Sequence, residues 1–169
     1  PQLIEQAVAA KPNVVTLRTE FPCPPMEGGR AAPPIPLDQW KSWTLQQYYD
    51  EVRSAAKAFM ALGLEPKDAV AIYGFNCPEW FFSEVGAIYA GGIAAGIYPT
   101  DTPAQVAFKI KHSAAVVACV ENADKAKMIL SRIAEMPKLK AIVVWGPEED
   151  PSAVEALGKG ASMTTLHWS

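Results

Sequence analysis

The sequence predicts an α/β fold: an open, mainly parallel sheet with helices on both faces, preceded by a proline-rich irregular arm. Three observations carry that prediction. From residue 44 onward, segments with helical spacing alternate with short strands. Each strand is a continuous apolar run, as parallel strands covered on both faces are. The helices open on recognisable capping signals. The expected division is therefore an arm over 1–43 and an α/β subdomain over 44–169.

In the arm, Pro22, Pro24, Pro25, Pro33, Pro34 and Pro36 crowd around Gly28-Gly29. Proline fixes φ and removes a donor, so extended chain and turns are expected. Residues 13–18 (NVVTLR) and 39–44 (QWKSWT) are candidate short strands, paired as a hairpin across the Pro/Gly loop.

Thr44-Leu45-Gln46-Gln47 then forms a capping box. The apolar positions Leu45, Tyr48, Tyr49, Val52, Ala55, Ala56 and Phe59 follow at steps of three and four, one face of a helix. Gly63 can end it in the left-handed conformation, and Pro66 blocks a restart. A strand is expected at Ala69–Tyr73. The next helix opens at Asn76-Cys77-Pro78-Glu79, with Asn or Cys as its cap, Pro in the first turn and Glu79 at the positive end of the dipole. It runs to about Gly91, and its small, apolar surface implies cover on more than one side, with Gly91 at a close approach.

A second strand is expected over 94–98 (AAGIY), and a third helix from the capping box Thr102-Pro103-Ala104-Gln105 to near His112. The third strand is Ala115–Val120. Asn122 or Asp124 caps a fourth helix that carries Met128, Ile129, Ile133 and Met136 and stops at Pro137. A fourth strand over 140–145, a short helix over 150–157 ended by Gly158, and a last strand over 163–168 complete the pattern. Right-handed crossovers follow from the general rule for parallel strands.

Composition excludes several classes. Half of the 169 residues are apolar and a fifth are charged, the balance of a domain with a real core. The formal net charge of −3, without a basic run, argues against nucleic acid as a partner. Residues 80–98 carry one charge, Glu84, but Gly91-Gly92 and Gly96 break the run before it is long enough to span a membrane. Cys23, Cys77 and Cys119 are odd in number and far apart, which fits reduced thiols rather than a disulfide framework or a zinc site. The chain starts at Pro1 without Met, and is expected to be a piece of a longer product.

In an open parallel sheet, ligands sit at the carboxyl ends of the strands. Those ends are Gly74-Phe75-Asn76, Pro99-Thr100-Asp101, Glu121-Asn122 and Gly146-Pro147. None has the spacing of a dinucleotide fingerprint. Gly158-Lys159-Gly160 resembles the end of a phosphate loop, but Ala153 stands where the first glycine is needed and Gly160 where Ser or Thr is. His112 reads as a helix-end or surface residue. Glu79 could be an acid in an apolar setting beside Trp80, but its first-turn position favours a dipole role. Asp101 is explained by turn chemistry, and Trp80, Phe81 and Phe82 read as core. The residues alone give no reaction.

The stretch 71–106 reads AIYGFNCPEWFFSEVGAIYAGGIAAGIYPTDTPAQV. It closely resembles the adenylate-forming acyl-CoA synthetases, and within them the long-chain bubblegum type. Tyr48-Tyr49, Leu62-Gly63-Leu64 and 139–144 fit the neighbouring family segments, so the resemblance covers roughly 40–146. It implies an ATP-dependent long-chain fatty acid–CoA ligase, with fatty acid, ATP and CoA as partners and Mg2+ beside the phosphates. The reduced cysteines fit a cytoplasmic setting, and peripheral membrane association of the longer enzyme is left open. The family's phosphate loop, adenine segment, catalytic Glu and lid Lys match no residue of this chain, so no catalytic residue is assigned. The 169 residues are expected to be inactive and to bind no cofactor alone. Gly96, Tyr98, Pro99 and Thr100 match positions that border the tunnel for the pantetheine arm of CoA. The alternative is a non-catalytic binding or regulatory module on a doubly wound sheet. A sheet cut short also leaves an apolar face that would favour self-association.

Overall fold

The computed structural model describes residues 1–21, 26–146 and 149–168. Cys23, the arm prolines Pro22, Pro24 and Pro25, and Pro147 lie outside the described residues. The chain divides into two compact units, Pro1–Glu51 and Val52–Ser169.

The first unit departs from the expected irregular arm at its start. Residues Gln2–Ala10 form helix α1, with Val8 buried. The segment QLIEQAVAA is free of Pro and Gly and rich in helix formers; the prolines that suggest an arm begin only at Pro12. Strands β1 (Val15–Thr19) and β4 (Lys41–Thr44) pair antiparallel, as anticipated, with Leu17 opposite Trp43. Between them β2 (Met26–Glu27) and β3 (Arg30–Ala31) make a small hairpin. Its turn residues Gly28 and Gly29 have φ of +57° and +78°, the left-handed pair that a two-residue hairpin turn needs.

Helix α2 (Leu45–Ala61) begins where the capping box places it. Gln47 N–H donates to Thr44 Oγ1 at 3.2 Å, and Thr44 N–H donates back to Gln47 Oε1 at 2.8 Å. The first compact unit ends inside this helix, at Glu51. Its periodicity shows no break there because the helix is continuous.

The second unit is a five-stranded, wholly parallel sheet in the order β6-β5-β7-β8-β9. The strands are β5 (Ala69–Tyr73), β6 (Ile93–Ile97), β7 (Ala115–Val120), β8 (Ala141–Val144) and β9 (Thr164–His167). The helices between them are α3 (Pro78–Tyr89), α4 (Pro103–Ser113), α5 (Ala123–Leu130) and α6 (Pro151–Leu157). Side chains alternate across each strand. Val70 and Ile72 face a core with Ala55, Ala56 and Phe59 of α2 and Ala87 of α3. Ala69, Ala71 and Tyr73 face a second core with Val106 and Ile110 of α4, Ile129 of α5 and Val154 of α6. Both faces are therefore covered, as the apolar runs imply.

Three local expectations are corrected. Helix α5 ends at Leu130, and Ile133 lies in a separate 3-10 turn, Ile133–Glu135. Strand β6 runs Ile93–Ile97 rather than 94–98, and it stands at the sheet edge with Ile93 more than half exposed. Gly91 is not at a close approach: its φ is +80°, and an added Cβ would meet only Pro66, at 3.8 Å. Gly86 holds that role instead, since a Cβ there would lie 2.8 Å from Ala55 Cβ. Replacing Gly86 by Leu is expected to lower the unfolding free energy by about 1–3 kcal/mol through overpacking. Gly160→Ala, with nothing within 4 Å of the new Cβ, is expected to stay within about 0.5 kcal/mol. Urea denaturation of the two variants checks both values.

Candidate functional site

The carboxyl ends of β5 and β6 enclose a pocket of about 580 Å³. Gly74, Phe75 and Asn76 line it from the end of β5, Trp80 from α3, and Gly96, Ile97, Tyr98 and Pro99 from β6 and its turn. The local sequence explains its openness. Gly96 contributes no side chain, and an added Cβ would stand 3.7 Å from Trp80 Cζ2. Pro78 at the first turn of α3 starts the helix immediately after the loop, which brings Trp80 over the strand ends.

The lining is largely aromatic and aliphatic, and its polar side-chain groups are the Asn76 amide, the Tyr98 phenol and the Trp80 indole N–H. No lining residue carries a charged side chain. Such a pocket suits an apolar or neutral hydrogen-bonding chain, not a phosphate. Phe75 and Tyr98 are largely exposed at the rim. Lys125 Nζ lies 5.9 Å from the Phe75 ring centroid and pairs with Glu121 at 2.8 Å. Lys109 Nζ lies 5.3 Å from the Tyr98 centroid and pairs with Asp101.

Of the residues that the resemblance singles out, the structure brings Gly96, Tyr98 and Pro99 to this pocket, while Thr100 is exposed beyond its lining. The aromatic cluster divides: Phe82 is buried core, but Trp80 borders the pocket, its ring meeting Phe81 edge-on at 5.6 Å. A run of three aromatics gives no sign of which one turns outward. Phe75 and Asn76 were legible only as a strand end. His112 is exposed in the last turn of α4 and stacks on Phe108 at 5.5 Å. His167 on β9 donates from Nε2 to Gly146 O at 2.9 Å. Glu79 sits in the first turn of α3. Gly158 has a packing role rather than a phosphate-binding one, since a Cβ there would fall 1.9 Å from Met163 O.

Burial pushes the Tyr73 phenol up, with the Lys125 ammonium opposing it. Its hydroxyl donates to Met128 Sδ at 3.6 Å. Desolvation raises the Cys77 thiol to about 12, and does the same to Cys119 inside the sheet. Among the described residues, no group of three or more His, Cys, Asp or Glu is placed to hold a metal ion. Among them, too, no helix is long and apolar enough to cross a membrane.

The profile of the AMP-binding enzyme family matches residues 14–164, which contain the whole pocket. The chain belongs to that family. Among its relatives, the long-chain-fatty-acid–CoA ligase ACSBG1 of Macaca fascicularis is 44% identical over 108 residues, 64% of this chain and 15% of the relative. The ligase ACSBG2 of Xenopus laevis is 42% identical over 111 residues, 66% of this chain and 15% of that one. Drosophila melanogaster heimdall, also named a long-chain-fatty-acid–CoA ligase, is 34% identical over 66% of this chain and 17% of its own. The chain thus spans about 15% of the length of these AMP-binding enzymes.

Solved structures agree on the fold. The anthranilate CoA ligase AuaEII, in complex with anthranoyl-AMP, superposes with a TM-score of 0.60 at 25% identity, over 65% of this chain and 21% of that one. The carboxylic acid reductase A-PCP didomain from Segniliparus rugosus superposes with a TM-score of 0.71 at 13% identity, over 99% of this chain and 24% of that one.

With a thiol raised to about 12, the thiolate fraction at pH 8 is on the order of one in 10⁴. Iodoacetamide at pH 8 is expected to leave the Cys77 and Cys119 peptides unmodified in the folded chain and to alkylate both in urea. Mass spectrometry of those peptides reads the result.

Proposed function

We propose that this AMP-binding enzyme chain is part of an ATP-dependent long-chain fatty acid–CoA ligase. The observation that carries the reading is an uncharged, aromatic-rimmed pocket at the β5 and β6 ends of a chain in this family. The names of relatives 42–44% identical support it, and the family match favours it over a non-catalytic module.

In the proposed reaction a fatty acid carboxylate attacks the α-phosphorus of ATP and releases pyrophosphate. The CoA thiol then attacks the acyl carbonyl, and AMP leaves. Neither step is assigned to a residue of this chain. Mg2+ would offset phosphate charge in the longer enzyme, but no cluster among the described residues fits it, and no step is routed through it. What this chain supplies is shape. Gly96, Tyr98, Pro99 and Thr100 border the path of the pantetheine arm, a neutral chain with two amides. The charge-free lining supports that assignment over one to the triphosphate.

Free thiols at Cys77 and Cys119 support a cytoplasmic setting. Peripheral membrane association of the longer enzyme and self-association of this chain belong to the same reading. The uncharged outer edge of β6 favours the second.

Two outcomes test the reading. The 169-residue chain alone is expected to show no fatty-acid-dependent ATP–pyrophosphate exchange, and the longer gene product to show it; exchange by the short chain would place the chemistry in the wrong part of the protein. Gly96→Val fits its edge strand but fills the pocket, and is expected to raise KM for CoA about tenfold with ATP–pyrophosphate exchange preserved. Steady-state kinetics of the longer enzyme reads that split.

A further inference from the structure

The turn that leaves β6 is fastened more than a connection requires. Tyr98, Pro99, Thr100 and Asp101 form it, and Asp101 N–H donates to Tyr98 O at 3.0 Å. Pro99 fixes φ at the second position. The Asp101 carboxylate then closes the turn a second time, with Oδ2 accepting from Tyr98 N–H at 3.2 Å. The same Oδ2 pairs with Lys109 Nζ, one helix onward. Helix α4, which carries Lys109, is itself anchored by the Thr102–Gln105 capping box. Asp101 thus binds the first residue of the turn, closes the turn with its own backbone, and ties it to α4.

The side chain at the end of this scaffold is Tyr98. It is 73% exposed, so no core packing selects its rotamer. One ring face is met by Lys109 at 5.3 Å, and the residue lines the pocket. The other rim aromatic has the same kind of support. Phe75 lies 5.9 Å from Lys125, and Lys125 is paired with Glu121 at 2.8 Å. Lys125 is shared with the buried Tyr73 ring, whose centroid is nearer at 5.2 Å, so the Phe75 rim carries a looser version of the arrangement at Tyr98. The Asp101 side chain is 11% exposed, so its pair is less screened than an open surface pair.

We propose that Asp101 and Lys109 are positioning residues that hold the Tyr98 ring as a fixed rim of the pocket and so set its width toward the ligand. The geometry stands by itself; the identity of the ligand as the pantetheine arm of CoA rests on the ligase reading above.

The test has two arms. In the 169-residue chain with ¹³C-labelled tyrosine, the Tyr98 ring is expected to give an ordered signal distinct from random coil. Lys109→Met and Asp101→Asn move it toward the random-coil position and mobilise it, and Lys109→Arg restores it. A Tyr98 signal unchanged in both variants overturns the proposal. If Asp101→Asn fails to fold, Lys109→Met, which keeps the helix and the aliphatic stem, carries this arm. In the longer ligase, Lys109→Met is expected to raise KM for CoA about fivefold, with kcat within about twofold. A mobilised ring with KM for CoA unchanged supports the positioning role and overturns the assignment of the pocket to CoA. Loss of kcat and KM together, with the ring still ordered, overturns the positioning role.

Discussion

Strand β5 is the constraint on which the second unit depends. It is paired on both edges, with β6 and β7, and all five of its residues are buried. A strand enclosed on four sides admits only apolar side chains and close neighbours. The chain leaves it by α3 for β6 on one side, then crosses from β6 by α4 to β7 on the other. That reversal decides which helices cover which face and which loops meet at the carboxyl end. Gly86 and Gly74 are consequences of it. Gly86 lets α3 settle against Ala55 of α2, and a Cβ at Gly74 would lie 2.6 Å from Trp145 Cζ2 and 2.8 Å from Glu121 Cβ.

The same enclosure shapes the pocket. With the β5 and β7 ends drawn together beside Trp145 and Glu121, the described pocket opens toward the edge strand β6. Edge position brings exposure, and exposure brings aromatic rings that must be held from outside the core. The lysine and carboxylate pairs sit where that need arises, beside Tyr98 and Phe75. The two cysteines point the same way: Cys119 is buried inside the sheet and Cys77 is desolvated at the start of α3, so both remain thiols. In the proposed ligase, this unit would serve as a shaped wall rather than as the reacting centre.

Much of the fold was legible because the local signals agree with the global one. Strands Ala69–Tyr73 and Ala115–Val120 were bounded to the residue, since fully buried runs end abruptly at polar loops. The capping boxes at Thr44 and Thr102 formed as read. Helix α1 was obscured by the prolines that follow it, and the edge position of β6 was hidden because pairing partners are long-range information. The same limit misplaced the close approach at Gly91 rather than Gly86: a left-handed turn and a packed helix crossing look alike in sequence. The pocket was not legible from pattern. Gly96, Tyr98 and Pro99 came from family resemblance, while Phe75, Asn76 and Trp80 needed coordinates.

In the proposed enzyme the β5 and β6 ends wall the path of a neutral substrate arm. Photo-crosslinking of the proposed longer ligase with a CoA analogue bearing a diazirine on its pantetheine arm, followed by peptide mapping of the label, is the decisive experiment. Label on residues 96–100 that is competed by CoA is the expected result. Label competed by CoA but confined to peptides outside residues 74–100 would contradict it.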